Sequence, residues 1–251
     1  MKTLVLNIQY DGTGYSGWQI QNNAITLQET LEKAIFVVTG RKYGTIAAGR
    51  TDAGVHAKGQ VVSVAIDEYF PIPDGRITNA INSKLPHDVR VNHSFVYNGK
   101  FHARFDAIAR QYEYYVCTKY NVFNRNHISN IRFKIDFDRL FDSAVYFEKK
   151  ADFTTFSKHN PDITNPVCDV SICSWEAISE NTYKLTIKSD HFLYGMVRSV
   201  VGFMFDIARN KKDFRDIFTA FEKVDRKLNS PLAPPQGLYL HKVFYPDEFG
   251  V

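Results

Sequence analysis

Residues 1–10 read MKTLVLNIQY, and residues 26–40 read TLQETLEKAIFVVTG. In the first stretch leucine and isoleucine occupy every second position, which is the period of a β-strand. The second stretch opens with Thr26 and Glu29 at the spacing of a helix capping box, and it closes at Gly40, a residue type that ends helices. Between them the apolar residues recur at helical spacing. The chain therefore begins with a strand followed by an amphipathic helix.

Strands and helices alternate through the rest of the chain as well. The strand-like runs are 62–66, 89–97, 112–116, 172–178, 183–188 and 238–245, and the helical stripes are 77–85, 140–147, 192–209 and 213–222. Two similar halves of this kind predict an α+β fold, with one continuous sheet and helices on one of its faces. We expect the boundary between the halves within 99–106, which divides the chain into domains 1–103 and 104–251.

The composition is that of a folded protein with a mildly basic surface. Hydrophobic residues make up 44% of the 251 residues, which is enough for a packed core and argues against intrinsic disorder. The net charge of +4 is compatible with a polyanionic partner. The aromatic content is high, with 20 Phe and 14 Tyr, of which we expect some to lie in the core; exposed aromatic rings can also stack on unpaired bases.

The cysteines and the apolar segments indicate a cytoplasmic protein. Cys117, Cys168 and Cys173 form no Cys-x-x-Cys pair, so we expect free thiols in a reducing compartment. The N-terminus lacks the layout of a signal peptide. The longest apolar stretch, 192–208, is short for a bilayer and contains Arg198 and Asp206, so we expect no membrane association.

Residues 49–57, GRTDAGVHA, carry the strongest chemical signal. They lie between a predicted helix and a predicted strand, and their glycines permit positive φ angles and close backbone approach. Such a loop can direct one carboxylate and one guanidinium, Asp52 and Arg50, into a cleft. The alternative is an ordinary Asp-Ala-Gly turn in which Arg50 and His56 are solvated.

This segment resembles the signature loop of the tRNA pseudouridine synthase A family at every position. Further blocks resemble the same family in the same order, namely 10–19 (YDGTGYSGWQ), 101–105 (FHARF), 109–114 (ARQYEY), 192–198 (FLYGMVR) and 233–240 (APPQGLYL). The resemblance implies two RRM-like or ferredoxin-like halves, an extended mixed but mainly antiparallel sheet, and a central active-site cleft. It also implies a homodimer that binds tRNA.

The resemblance implies that the enzyme isomerises uridine to pseudouridine at positions 38, 39 and 40 of the tRNA anticodon stem-loop. Asp52 is then the nucleophile, attacking either C6 of the base or C1′ of the sugar. A guanidinium within an apolar helix is costly unless it is paired, and the resemblance implies that Arg198 is the ion-pair partner of Asp52. The alternative is that Arg198 pairs with another acid or extends to solvent.

The remaining site residues are also assigned through the resemblance. Tyr112 is expected to stack on the target uracil and to assist removal of the C5 proton, although Tyr114 shares its strand face and either ring can be a core residue. Leu193 is expected to contact the base, or else to pack in the core. Arg50 is expected to brace the space left by the flipped uridine, and Arg104 to hold a phosphate.

Other readings of the sequence make distinct predictions. A non-catalytic RNA-binding module and a glycosidase-like hydrolase with two carboxylates are alternatives, as is a pseudouridine synthase with a different RNA target. We find no metal-binding pattern, Walker loop or dinucleotide fingerprint, so we expect no metal and no cofactor. The stretch 157–166 departs from many bacterial members of the family, and we expect the chemistry to survive that departure.

Overall fold

The computed structural model describes residues 2–159, 161 and 165–251, so the divergent stretch 157–166 lies partly outside the described residues. Its contacts group the chain into two compact units. Unit 1 contains the residues up to Ile108 together with Tyr239–Val251, and unit 2 is Ala109–Leu238. The sequence predicted a simple division at 103/104. The C-terminal residues join unit 1 because the last strand pairs there, as described next.

Unit 1 has the βαββαβ order of ferredoxin-like folds. Its elements are β1 (Lys2–Tyr10), α1 (Leu27–Thr39), β2 (Thr45–Ala47), β3 (His56–Ile66), α2 (Ile77–Asn82) and β4 (Val89–Tyr97). The strands lie in the order β4-β1-β3-β2, and each neighbouring pair is antiparallel. The last strand of the chain, β10 (Leu238–Phe244), runs parallel to β3 through Tyr239 and Leu240.

Local sequence signals set the ends of α1, as predicted. The side chain of Thr26 accepts a hydrogen bond of 3.4 Å from the backbone N–H of Glu29. Gly40 ends the helix with φ 70°, a conformation that glycine adopts without steric cost. The apolar stripe of the helix is buried: Leu27, Leu31, Ala34 and Ile35.

Unit 2 repeats part of this arrangement. Its elements are β5 (Ala109–Cys117), β6 (Ser129–Asn130), α3 (Phe137–Ala144), β7 (Lys150–Asp152), β8 (Val167–Ser179), β9 (Thr182–Ser189), α4 (Met196–Ala208) and α5 (Phe214–Lys223). The order β5-β9-β8 is antiparallel and reproduces β1-β3-β2 of unit 1, with α3 in the place of α1. The predicted α+β class and the predicted similarity of the halves are confirmed.

Two features of unit 2 differ from the prediction. The helix expected from residue 192 begins at Met196, because Gly195 takes a left-handed conformation with φ 71° and separates 192–194 from the helix. The short strands β6 and β7, like β2 in unit 1, were not predicted. They contain only two or three residues, which is too few to show a period.

Many of the aromatic residues of unit 2 belong to its core. Phe147, Phe153 and Phe156 are fully buried, and Phe203 of α4 packs edge-on against Phe156 with ring centroids 5.3 Å apart. These phenylalanines therefore serve packing, whereas others, such as Phe105 and Phe123, are exposed. Within the described part of the chain, none of the helices has both the length and the apolar character required to cross a bilayer.

Candidate active site

The loop that carries Asp52 connects β2 to β3 and is held through its backbone. The N–H of Trp18 donates to the carbonyl of Thr51 over 3.0 Å, and the hydroxyls of Tyr10 and Thr51 lie 2.9 Å apart. On the other side of Asp52, Val55 N–H donates to the Asp52 carbonyl over 3.1 Å. Asp52 itself is partly exposed. The carboxylate therefore projects from a backbone that is fixed on both sides.

Two glycines allow the segment 10–18 to pack against this loop. Gly17 has φ +95°, and a Cβ placed there would lie 2.7 Å from the Thr51 carbonyl oxygen and 3.2 Å from Asp52 C. A Cβ on Gly12 would overlap the carbonyl oxygen of Val55. Any larger residue would displace the loop backbone. The sequence showed the glycines of 10–19 as part of a family block, but not their packing role.

His56 anchors the same region from inside the protein. Its side chain is 1% exposed, and its ring stacks on that of Tyr239 with centroids 4.6 Å apart. Its Nδ1 lies 3.1 Å from both the Gly12 N–H and Asp11 Oδ1. A neutral Nδ1 accepts from Gly12, whereas a protonated one donates to Asp11. In either state His56 has a structural role, and its burial argues against RNA contact.

Gln60 positions the start of the loop, a role that the sequence did not reveal. It is fully buried in β3, and its Nε2 donates to the carbonyl of Gly49 over 2.7 Å. Its Oε1 has no hydrogen-bond partner among the described residues. The one available signal was an amide side chain within the apolar run of β3, since such a group must find a partner when it is buried.

Arg50 and Arg104 are the basic residues of unit 1 that were assigned to RNA, and both are exposed. Arg104 lies beside Phe105, with its guanidinium carbon 5.7 Å from the ring centroid. The ring of His102 stacks on Phe105 at 4.3 Å, and Phe105 is 75% exposed. An exposed aromatic ring next to a cation has the chemistry of an RNA contact.

In unit 2 the two strand tyrosines differ in burial and in hydrogen bonding. Tyr114 is completely buried, and its hydroxyl donates to the carbonyl of Pro234 over 2.8 Å. Burial raises the pKa of Tyr114 far above its usual range. Tyr112 retains 8% exposure and packs edge-on against Phe192, with centroids 5.1 Å apart. Tyr114 is therefore a core residue, and Tyr112 remains the candidate for contact with the base.

Arg198 and Leu193 flank the left-handed Gly195. Arg198 lies in the first turn of α4 and is partly exposed, not fully buried as its apolar neighbours had suggested. Its Nε donates to the carbonyl of Ala233 over 2.8 Å, and Ala233 N–H donates to the Arg198 carbonyl over 3.0 Å. These bonds orient the guanidinium. Leu193 is 7% exposed in the turn before the helix.

Comparison with known proteins assigns the chain to a family. A family model described as tRNA pseudouridine synthase matches residues 7–106 and 144–246. The chain belongs to the tRNA pseudouridine synthase family. Pseudouridine synthases are isomerases, so the enzyme class predicted from the sequence is confirmed. Arg50, Asp52, Arg104, Leu193 and Arg198 lie in the matched segments, and Tyr112 lies between them.

Relatives named tRNA pseudouridine synthase A match the chain over nearly its full length. The protein from Porphyromonas gingivalis is 35% identical over 252 residues, which cover 99% of both chains. That from Bacteroides fragilis is 37% identical over 243 residues, or 96% of this chain and 95% of the relative. That from Acetivibrio thermocellus is 36% identical over 247 residues, or 98% and 100%.

Proposed function

We propose that this protein converts uridine to pseudouridine at positions 38, 39 and 40 in the anticodon stem-loop of tRNA. The observation that carries the proposal is the loop 49–57. It resembles the family's signature loop at every position, and hydrogen bonds on both sides of Asp52 hold its backbone. The names of the relatives support tRNA as the substrate.

In the proposed reaction the N1–C1′ bond of uridine breaks, the base turns over, and a C5–C1′ bond forms. The proton leaving C5 is balanced by the proton that N1 gains, so the product is an isomer of the substrate. Asp52 acts as the nucleophile, at C1′ of the sugar or at C6 of the base, and is released unchanged at the end. Because the product is an isomer of the substrate, the proposed reaction balances without an oxidant, a nucleotide or a metal ion.

Arg198 and Tyr112 complete the proposed catalytic group. An arginine paired with Asp52 would keep the carboxylate ionised and orient it for attack. The bonds between Arg198 and the Ala233 backbone support such a positioning role, because they already restrict the guanidinium. Tyr112 would stack on the uracil and assist removal of the C5 proton, and Leu193 would supply an apolar contact to the base.

The target uridine must leave its stem before Asp52 can reach it. We propose that Arg50 braces the vacated space and that Arg104 holds a neighbouring phosphate, which agrees with the exposure of both side chains. We further propose that the enzyme acts in the cytoplasm as a homodimer, by resemblance to its family.

A tRNA transcript with uridines at 38, 39 and 40 tests the proposal. After incubation with the purified protein, the RNA is digested and its nucleosides are separated by liquid chromatography with mass spectrometry. We expect pseudouridine of unchanged mass, and none from a control transcript with cytidines at those three positions. Release of free uracil would indicate a hydrolase instead. Binding without any product would indicate an RNA-binding module.

A further inference from the structure

Unit 2 contains a concave pocket of about 510 Å³ that the proposed chemistry does not use. It lies where β5 ends and β6 begins, and its lining includes Tyr120, Asn124, Arg125, Arg132 and Gln236. Neither Tyr112, Leu193 nor Arg198 lines it. Its volume is within the range of roughly 300–1,000 Å³ that is common for small-molecule sites.

The charge around the pocket has a single sign. Among the described residues that line it, the charged side chains are those of Arg125 and Arg132, and none is acidic. Arg125 donates one hydrogen bond, to the carbonyl of Val122 over 2.7 Å, which leaves most of its guanidinium donors available. Arg132 is exposed and forms no hydrogen bond or ion pair with any described residue. The pocket is therefore suited to an anion.

The other lining groups suit the base of a nucleotide. The side-chain amides of Asn124 and Gln236 make no hydrogen bonds within the described part of the chain. Each amide offers donors and an acceptor, the combination that pairs with the edge of a base. Tyr120 is 55% exposed, and its ring contacts no other described ring, so a face is open for stacking.

We propose that this pocket binds one unstacked nucleotide of the RNA substrate, distinct from the target uridine. Arg125 and Arg132 hold its phosphate, Tyr120 stacks on its base, and Asn124 and Gln236 contact the base edge. Most of the pocket lining, within 117–133, falls in the gap between the two segments matched by the family model, whereas Pro234 and Gln236 lie inside the second segment. The inference rests on the proposed function only in taking the RNA to be tRNA.

The first test compares two charge-removing substitutions two residues apart. Arg132→Gln removes a cation that lines the pocket, and Lys134→Gln removes an exposed cation that does not. Binding of a tRNA transcript is measured by fluorescence anisotropy at several salt concentrations. For Arg132→Gln we expect the slope of log affinity against log salt to fall by about 0.7–0.9, as for one lost phosphate contact. Lys134→Gln should leave the slope unchanged, and equal effects of the two substitutions would overturn the proposal.

The second test probes the base-binding part of the pocket. Tyr120→Leu should weaken tRNA binding by roughly 5-fold or more through lost stacking, whereas Tyr69→Leu, which alters a 76% exposed tyrosine of unit 1, should not. Asn124→Asp keeps the side-chain shape but places a negative charge in the pocket, so it should also weaken binding. Unchanged affinity in both pocket variants would refute the nucleotide site.

These binding measurements separate the inference from the proposed function, because neither requires turnover. If wild-type protein forms pseudouridine but the pocket variants bind tRNA normally, the pocket proposal fails alone. If wild-type protein forms none and the pocket variants still lose RNA affinity selectively, the site stands and the proposed reaction fails.

Discussion

At the scale of single residues, the proposed chemistry depends on Asp52. Asparagine has nearly the same shape as aspartate but cannot act as the nucleophile. We therefore expect Asp52→Asn to abolish pseudouridine formation while tRNA affinity stays close to that of wild type. Nucleoside analysis measures the first quantity and fluorescence anisotropy the second. Measurable turnover by variant protein free of wild-type enzyme would exclude Asp52 as the nucleophile.

The proposed Asp52–Arg198 pair makes a separate prediction about stability. Arg198→Met loses the hydrogen bond to Ala233 whether or not Asp52 is present, so that loss cancels in a double-mutant cycle with Asp52→Asn. The remaining coupling should be about 0.5–3 kcal/mol, as for residues in direct contact. Urea unfolding of the four proteins gives the values. The changes in the free energy of unfolding from Arg198→Met and Asp52→Asn could instead be additive. If a parallel cycle with Arg50→Met and Asp52→Asn then shows coupling, Arg50 is the counter-charge of Asp52.

At the scale of elements, the turn that follows β1 supports the loop that carries Asp52. Gly17 has φ +95° and lies against the backbone of Thr51 and Asp52, so Gly17→Ala combines backbone strain with a displaced loop. We expect a loss of about 1–3 kcal/mol in the free energy of unfolding, together with reduced turnover. Gly14→Ala is the matched control, because no atom lies within 4 Å of its Cβ position and its φ is not positive. Similar losses in both variants would show that the contact with the loop is unimportant.

At the scale of the whole molecule, burial determines the thiol pKa and the reactivity of Cys168 and Cys173. Burial, assisted by Asp190, raises the pKa of the Cys168 thiol from 9.0 to about 12. Burial, assisted by Glu148, raises the pKa of Cys173 above its usual range as well. At about pH 8 both residues should resist alkylation in the folded protein and react after unfolding, as peptide mapping would show. Rapid labelling of the native protein at either position would contradict this.

The same pKa shifts predict how stability changes in alkaline solution. A thiol whose pKa is higher in the folded than in the unfolded protein stabilises the fold fully at pH values below its unfolded-state pKa. This stabilisation is lost as the pH rises towards the folded-state pKa. For Cys168 the stability contribution should decline between pH 9.0 and about 12. The free energy of unfolding of Cys168→Ala should therefore fall less steeply than that of wild type over this interval.

The sequence by itself determined the longer elements and the chemistry class, but not the short strands β2, β6 and β7. Thr26 and Gly40 interact only with the adjacent turn of α1, so their capping roles can be predicted without tertiary structure. Strand periodicity likewise located β4, whose bounds, Val89–Tyr97, agree with the prediction. The loop 49–57 indicated the family because the side chains it needs are contiguous in the chain.

Only the tertiary structure decided the roles that depend on partners distant in sequence. Tyr112 and Tyr114 share one face of β5, and burial against the segment around Pro234 distinguished them. The bond from Gln60 to Gly49 joins residues that no periodicity relates. Strand pairing likewise placed Tyr239–Val251 in unit 1, although more than a hundred residues of sequence separate this segment from the rest of that unit. Local patterns record which backbone conformations are favoured, whereas these roles arise from contacts that exist only after the chain has folded.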